Sequence, residues 1–171
     1  MPSKKRIQAC PRTRQAVITV PEFTLTSSAF ADGDRIPEEY GYGESNVNPP
    51  LEFGGVPDEA EALALVVDDP DAVEPAGKVW DHWIVWNISP ERERIPEDWN
   101  PDADVGEGTN DFGERGYGGP NPPDREHTYR FRLFALESPL DLEAEADADD
   151  LESAAAGRVI ETTTLEGTYP V

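Results

Sequence analysis

The stretch ALALVVDDPDAVEPAGKVWDHWIVWNI, residues 62–88, decides how this chain folds. Residues 62–67 have no polar interruption, which is typical of a strand covered on both faces, and residues 82–88 have the same character. Because side chains alternate along a strand, we expect Ile84, Trp86 and Ile88 on the face of His82. A stiff Asp-Asp-Pro-Asp turn separates the two segments, so the stretch predicts two buried strands joined by a polar connection.

Further strands are predicted on either side of this stretch. Residues 17–30, VITVPEFTLTSSAF, alternate apolar and polar side chains. Residues 127–136, HTYRFRLFAL, alternate more sharply and place Tyr129 among the apolar side chains of one face. The opposite face of that strand carries Arg130 and Arg132.

Helix signals are sparse and lie near the end of the chain. Asp147 or Asp149 can cap an Ala-rich helix that continues to Gly157, with Val159 expected on its apolar face. The remaining segments are mostly of strand type, and the chain has 17 prolines. The pattern predicts a mainly antiparallel β domain with a few peripheral helices over residues 17–171. A basic leader over residues 1–16 precedes it, and this leader is either a disordered segment or the product of an early start codon.

Charge is the most unusual property of the composition. The chain has 36 acidic and 14 basic residues. Five of the basic residues lie in the first 14 positions, which leaves a net charge of −27 over residues 15–171. A body this negative repels nucleic acid and anionic membrane surfaces. Because lysine is scarce and the acids are spread evenly, we favour a salt-adapted, halophilic microbial origin over an acidic tail or a surface for a basic partner.

The single cysteine, Cys10, excludes a disulfide framework within one chain and favours a reducing, cytoplasmic interior. The sequence contains no apolar stretch of about 18 residues, so we expect no membrane span and no stable membrane association.

Both histidines of the chain open predicted strands. His82 begins one strand, and His127 begins another with Tyr129 on the same face. Asp69 and Asp71 follow a buried strand directly, on either side of a proline that stiffens the turn. These residues are either ordinary turn and strand-edge residues or parts of one shared site.

A shared site of this kind can bind a small anion. The loop GYGGPNPP, residues 116–123, offers backbone N–H groups, and imidazole and phenol add further donors. Two histidines with carboxylates could instead hold zinc or non-haem iron, although helical HxxxH and HExxH spacings are absent. A serine hydrolase GxSxG motif and a P-loop are absent as well.

Five blocks in this order resemble the phosphatidylethanolamine-binding protein family, in its prokaryotic Raf kinase inhibitor-like branch. They are SNVNPPLEF, LALVVDDPDA, DHWIVWNI, GYGGPNPP and HTYRFRLFAL. The resemblance covers residues 17–169 and implies a large antiparallel sheet packed on a smaller one with a few helices outside. It also implies a small pocket at one end that binds anionic groups such as phosphate or a phosphorylethanolamine headgroup.

The same resemblance assigns residues to that pocket. They are Asp69, Asp71, His82, Gly119, Pro120, His127 and Tyr129. Val73 stands where the family turn has a second proline, and Asn121 stands where relatives often have cysteine. The exact ligand therefore stays open, and no cofactor is expected.

Three functions remain in competition at this point. The first is a non-enzymatic binding protein for a small anion such as phosphate or a phosphomonoester. The second is a hydrolase or metal-dependent enzyme that uses the His/Asp cluster. The third is a regulator of kinases or other protein partners, and relatives also often form homodimers. An enzyme needs an activated nucleophile or a bound metal, and because the sequence offers neither, binding is favoured.

Overall fold

The computed structural model of the chain describes residues 21–171. The predicted basic leader, residues 1–16, and the first residues of the 17–30 strand lie outside the described residues. Within the described part there are eight strands. In chain order they are β1 (Thr24–Thr26), β2 (Leu51–Gly54), β3 (Ala62–Asp69), β4 (Trp80–Ile88), β5 (Arg94–Ile95), β6 (Gly106–Glu107), β7 (His127–Leu136) and β8 (Val159–Tyr169).

The strands form two antiparallel sheets. The large sheet has the order β6–β4–β3–β7–β8, and the small sheet has the order β1–β2–β5. The central strand β3 is buried at all eight positions, as its uninterrupted apolar sequence predicts. The prediction of a large antiparallel sheet packed on a smaller one is confirmed.

Four short helical segments flank the sheets. They are the 3₁₀ turns Glu38–Tyr40 and Pro70–Ala72 and the α-helices α1 (Val73–Ala76) and α2 (Ala148–Ala155). The Asp147 carboxylate accepts the Asp150 N–H at 2.9 Å, and the Asp150 carboxylate accepts the Asp147 N–H in return, so a capping box starts α2.

The expectation that Val159 lies on the apolar face of the helix is wrong. The helix ends at Ala155, and Gly157 takes a left-handed φ of 79° that turns the chain into β8. Val159 is therefore the first residue of a strand and is 43% exposed.

Alternation along β3 and β7 creates two apolar layers. Leu65 of β3 and Phe131 and Leu133 of β7 pack toward the small sheet, whereas Val66 of β3 packs toward Leu151 of α2. All five side chains are fully buried, and burial of each contributes roughly 1.5–3 kcal/mol. The faces predicted for β7 are confirmed, because Arg130 and Arg132 lie opposite Phe131 and both bind Asp68.

Alternation fails in β4 because of a β-bulge. Val67 pairs with Trp83 but Asp68 pairs with Asp81, which leaves His82 as the extra residue. The bulge turns the His82 ring toward Tyr129, with ring centroids 5.2 Å apart.

The sequence predicted that Ile84, Trp86 and Ile88 share a face of β4 with His82, and this prediction is wrong for Ile84 and Trp86. Ile84 and Trp86 pack on the α2 side of the sheet, whereas His82 contacts the opposite layer. A second bulge lies near Asn87, whose φ is 60°, and it returns Ile88 to the layer between the sheets. One extra residue at each bulge reverses the facing of the residues after it, and apolar periodicity does not reveal the insertion.

Candidate functional site

A cavity of about 200 Å³ opens beside the end of β3 and the start of β4. Its wall combines three polar side chains with six apolar ones. The lining residues are Asp69, Ala72, Pro75, Ala76, Trp80, His82, Phe112, Asn121 and Pro123. The cavity thus places a few polar groups against an apolar wall, which is the usual composition of a small-molecule site.

His82 is held in the wall by one hydrogen bond of its ring. Nδ1 lies 2.8 Å from the carbonyl oxygen of Gly118, and because a carbonyl can only accept, Nδ1 carries a proton. Burial lowers the pKa of His82, although the Gly118 carbonyl and the Asp69 carboxylate work in the opposite direction. The ring is therefore neutral at pH 7 with its lone pair on Nε2, and no hydrogen bond from residues 21–171 reaches that atom.

Asp69 is buried at the end of β3 and its charge is compensated. One carboxylate oxygen accepts the Asp71 N–H at 2.9 Å, and the other lies 2.6 Å from Nδ1 of His127. Nε2 of His127 lies 2.7 Å from Asp124. Burial works to lower the pKa of His127, but the hydrogen bonds to the two carboxylates outweigh it and raise that pKa.

His127 therefore contacts the cavity-lining Asp69 without lining the cavity itself. Its side chain is fully buried, and both ring nitrogens are bonded to carboxylates. Because ionised carboxylates can only accept, both ring nitrogens donate, and the positive charge of the ring is shared between Asp69 and Asp124. It offsets part of the Asp69 charge and so reduces the repulsion of an incoming anion.

Two buried hydrogen-bond donors near the cavity have no partner among residues 21–171. They are the Tyr129 hydroxyl and the indole Nε1 of Trp80. Burial, with the neighbouring Asp69 carboxylate, raises the pKa of Tyr129, so its phenol keeps the proton. An unpaired buried donor costs about 1–3 kcal/mol, so both groups gain free energy when a ligand supplies an acceptor.

Three other predicted site residues stabilise the turn and the loop next to the cavity. The Asp71 carboxylate accepts the Thr128 N–H at 2.9 Å and so ties the turn after β3 to β7. The Pro120 carbonyl accepts the Tyr42 N–H at 2.9 Å, and the neighbouring Gly119 packs against the Tyr40 backbone where a Cβ would not fit. Of the seven predicted residues, Asp69 and His82 line the cavity, and the other five do not: Asp71, Gly119, Pro120, His127 and Tyr129.

The expectation that residues 116–123 offer free backbone N–H groups is wrong for three amides. The N–H of Gly116 binds the Gly108 carbonyl, that of Gly118 binds the His82 carbonyl, and that of Gly119 binds the Asn46 side chain. The glycines are required for close packing, and their amides are used within the protein.

Several lining residues were missed in the sequence. Trp80 lies two positions before His82 on the same strand face, so alternation could have found it. Pro75 and Ala76 come soon after the aspartate turn and form part of α1. Phe112 carried no signal, because it comes from the long irregular stretch and stacks on Tyr42 with ring centroids 3.9 Å apart.

The described part of the chain offers neither a metal-binding cluster nor a membrane-spanning helix. In residues 21–171, no three His, Cys, Asp or Glu side chains are grouped so that they could hold a metal ion. No helix there has the length and apolar character needed to cross a bilayer.

Comparison with known proteins gives consistent matches. Residues 26–170 match the family model described as phosphatidylethanolamine-binding protein. A UPF0098 protein of Methanothermobacter thermautotrophicus is 45% identical over 150 residues, which cover 85% of this chain and 97% of the relative. A UPF0098 protein of Pyrococcus abyssi is 39% identical over 156 residues, which cover 86% of this chain and 85% of that relative.

Two solved structures share the fold. The phosphatidylethanolamine-binding protein homologue CT736 of Chlamydia trachomatis superposes with a TM-score of 0.78 at 40% identity, covering 86% of this chain and 96% of that one. YbcL of E. coli, described as a new member of the mammalian family, superposes with a TM-score of 0.82 at 28% identity, covering 88% and 99%.

Proposed function

The chain belongs to the phosphatidylethanolamine-binding protein family, and we propose that it is a non-enzymatic binding protein for a small anionic ligand such as phosphate or a phosphomonoester. The ligand occupies the cavity beside His82 and Asp69. Asp71, Gly119, Pro120, His127 and Tyr129 serve the same site.

The observation that carries this proposal is the surplus of donors around the cavity. The Tyr129 hydroxyl and Trp80 Nε1 have no acceptor within residues 21–171. His82 adds a third donor when Nε2 is protonated. A phosphoryl group has several acceptor oxygens. Trp80 and His82 line the cavity, so a phosphoryl group there accepts from Trp80 Nε1 and from the His82 imidazolium, whereas Tyr129 is not a lining residue.

The size of the cavity limits the ligand. Its volume of about 200 Å³ lies below the roughly 300–1,000 Å³ of typical ligand pockets. A phosphate, a phosphomonoester or a phosphorylethanolamine-sized headgroup therefore suits the cavity better than a larger molecule.

The alternative is a hydrolase, and one observation favours it. Neutral His82 has its Nδ1–H fixed on a carbonyl and its Nε2 lone pair free, which is the arrangement of a general base. His127 cannot share this role, because both of its ring nitrogens are bonded to carboxylates. Metal analysis of the purified protein and a phosphomonoester turnover assay separate the enzyme from the binding protein.

A role as regulator of a kinase or another protein partner is compatible with the same cavity. We also propose a cytoplasmic location, which the single cysteine of the sequence favours. In that case the ligand-bound and ligand-free forms differ in partner affinity. Analytical ultracentrifugation with and without phosphate measures whether the chain forms homodimers and whether occupancy changes the association.

The direct test is a phosphate titration monitored by NMR of the two imidazole side chains. We expect the His82 resonances to move with saturation and its pKa to rise, because a bound anion stabilises the imidazolium. His127 responds with a smaller shift through Asp69. In His82→Gln, affinity falls about tenfold or more, as expected for loss of a charge-assisted hydrogen bond.

Thr162→Ala on β8 provides the matched control, because Thr162 does not line the cavity. It should bind phosphate like the wild type. If neither histidine responds to phosphate, the proposed function is wrong.

A further inference from the structure

Asn46 is a polar residue that the proposed function leaves without a role. It lies in the long loop before β2, is half-buried, and takes a left-handed φ of 56°. Asparagine adopts this conformation more readily than most residues, but it still costs free energy relative to extended backbone. A left-handed residue whose side chain is also hydrogen-bonded indicates that the loop is held in one conformation.

The Asn46 side chain binds the loop that contains Gly118 and Gly119, next to His82. Its Oδ1 accepts the N–H of Gly119 at 2.8 Å. Its own backbone N–H donates to the Glu39 carbonyl at 3.2 Å, which fixes the residue from the other side.

One peptide group joins Asn46 to His82. The N–H of Gly119 and the C=O of Gly118 belong to the same peptide bond, and in a trans peptide they point in opposite directions. The N–H end binds Asn46 Oδ1 and the C=O end accepts from Nδ1–H of His82 at 2.8 Å. Hydrogen bonds at both ends of one amide polarise each other, so each strengthens the other.

This peptide group needs an anchor because it lies between two glycines. Glycine allows a wide range of backbone angles, so an unanchored Gly-Gly peptide can rotate and carry its carbonyl away from the ring. The Gly118 N–H binds the His82 carbonyl at 2.8 Å and fixes one side of the unit. Asn46 fixes the other side.

We propose that Asn46 is a positioning residue for His82, which it holds through the Gly118–Gly119 peptide group in the Nδ1–H tautomer that leaves Nε2 for the ligand. In water a neutral histidine is free to carry its proton on either nitrogen. The carbonyl held by Asn46 selects one of them. The inference builds on the proposed anion site, but the tautomer can be measured without any ligand.

The test uses ¹⁵N NMR of the His82 ring in the full chain, at a pH where the ring is neutral, for wild type, Asn46→Asp and Asn46→Gly. Aspartate keeps an acceptor oxygen and tolerates the left-handed φ, and glycine keeps the φ but removes the acceptor. We expect wild type and Asn46→Asp to show the Nδ1–H tautomer. Asn46→Gly should show a mixture of tautomers and a phosphate affinity about five- to tenfold lower.

An unchanged His82 spectrum in Asn46→Gly would overturn the proposal. If that variant does not fold, two measurements on the wild type still test the proposal. The Gly119 amide must be protected from hydrogen exchange, and the neutral His82 ring must carry its proton on Nδ1. A predominant Nε2–H tautomer in the wild type contradicts the proposal. If wild-type His82 has the expected tautomer but phosphate does not bind, the positioning role stands and the proposed function fails.

Discussion

Asp81 lies one residue before His82, and alternation along β4 places the two side chains on opposite faces of the sheet. Burial and the neighbouring Asp111 carboxylate raise the pKa of Asp81 to about 7, and Asp68 and Asp149 act in the same direction. Lys78 opposes them, but its ammonium is bound to Asp111 at 2.8 Å. Asp81 is therefore a carboxyl group that ionises near neutral pH, next to the cavity-lining Trp80.

This pKa predicts how stability depends on pH. An unfolded aspartate titrates near 3.8 and the folded Asp81 near 7, so between these values the folded state holds a proton that the unfolded state has lost. The contribution of Asp81 therefore falls as pH rises from about 4 to about 7 and is lost above that. Asp81→Asn should exceed the wild type in free energy of unfolding at pH 8 by about 1–2 kcal/mol, after allowance for solvent screening.

Urea unfolding at pH 5 and pH 8 checks this prediction. Asp104→Asn, at an exposed position, removes one negative charge without changing a buried group and is the matched control. Equal effects of the two substitutions at pH 8 would mean that only net charge matters.

At the scale of residues, the sequence predicted which side chains lie close together where its signal was local. The sequence placed Asp69, His82 and His127 at the ends of strands with clear apolar runs, so their meeting at one edge of the sheet could be expected. Asp69 is the last residue of β3 and His127 is the first of β7, as expected to within two residues, but the prediction that His82 opens its strand is wrong because β4 begins at Trp80. Asn46 and Phe112 come from loops, where periodicity carries no information. Their positions depend on backbone angles and on contacts with segments far away in the chain.

At the scale of elements, the strands of the large sheet were likewise predicted where the sequence pattern is strong and missed where it is weak. The bounds of β7 were predicted correctly, because its alternation is sharp and both faces are occupied by contrasting side chains. β8 was missed, because its consecutive threonines lie at an exposed edge where little apolar surface is buried. The two bulges of β4 were missed because each inserts a residue without any change in composition.

The second bulge gives a test at this scale. The Asn87 side chain donates to the Leu140 carbonyl at 2.9 Å and accepts its N–H at 2.8 Å, and its φ is 60°. Asn87→Gly removes two hydrogen bonds and should cost about 1–3 kcal/mol. Asn87→Ala adds left-handed strain of about 1–2 kcal/mol and should be the less stable variant.

Chemical denaturation of both Asn87 variants measures the difference. His82 ring shifts should stay near their wild-type values in both, since the first bulge is paired independently with Val67 and Asp68. Equal stability of the two variants would show that the positive φ at Asn87 carries no strain.

Charge acts on the whole molecule. Residues 15–171 carry a net charge of −27, and the ion pairs within the described part use few of the acidic groups. Such a body repels itself when folded, which lowers the free energy of unfolding at low ionic strength. The Debye length falls from about 10 Å at 0.1 M salt to about 3 Å at 1 M, so molar salt removes most of this repulsion.

We therefore expect the midpoint of thermal unfolding to rise steeply between about 0.1 M and 1 M potassium chloride. The double variant Glu143→Gln/Glu145→Gln removes two exposed charges near α2 and should show a shallower rise with a higher midpoint at low salt. Salt also strengthens the burial of apolar surface, but that effect is the same in both proteins, so the difference in slope isolates the electrostatic part. Parallel slopes would mean that self-repulsion is weak, and the halophilic interpretation of the composition would lose its physical basis.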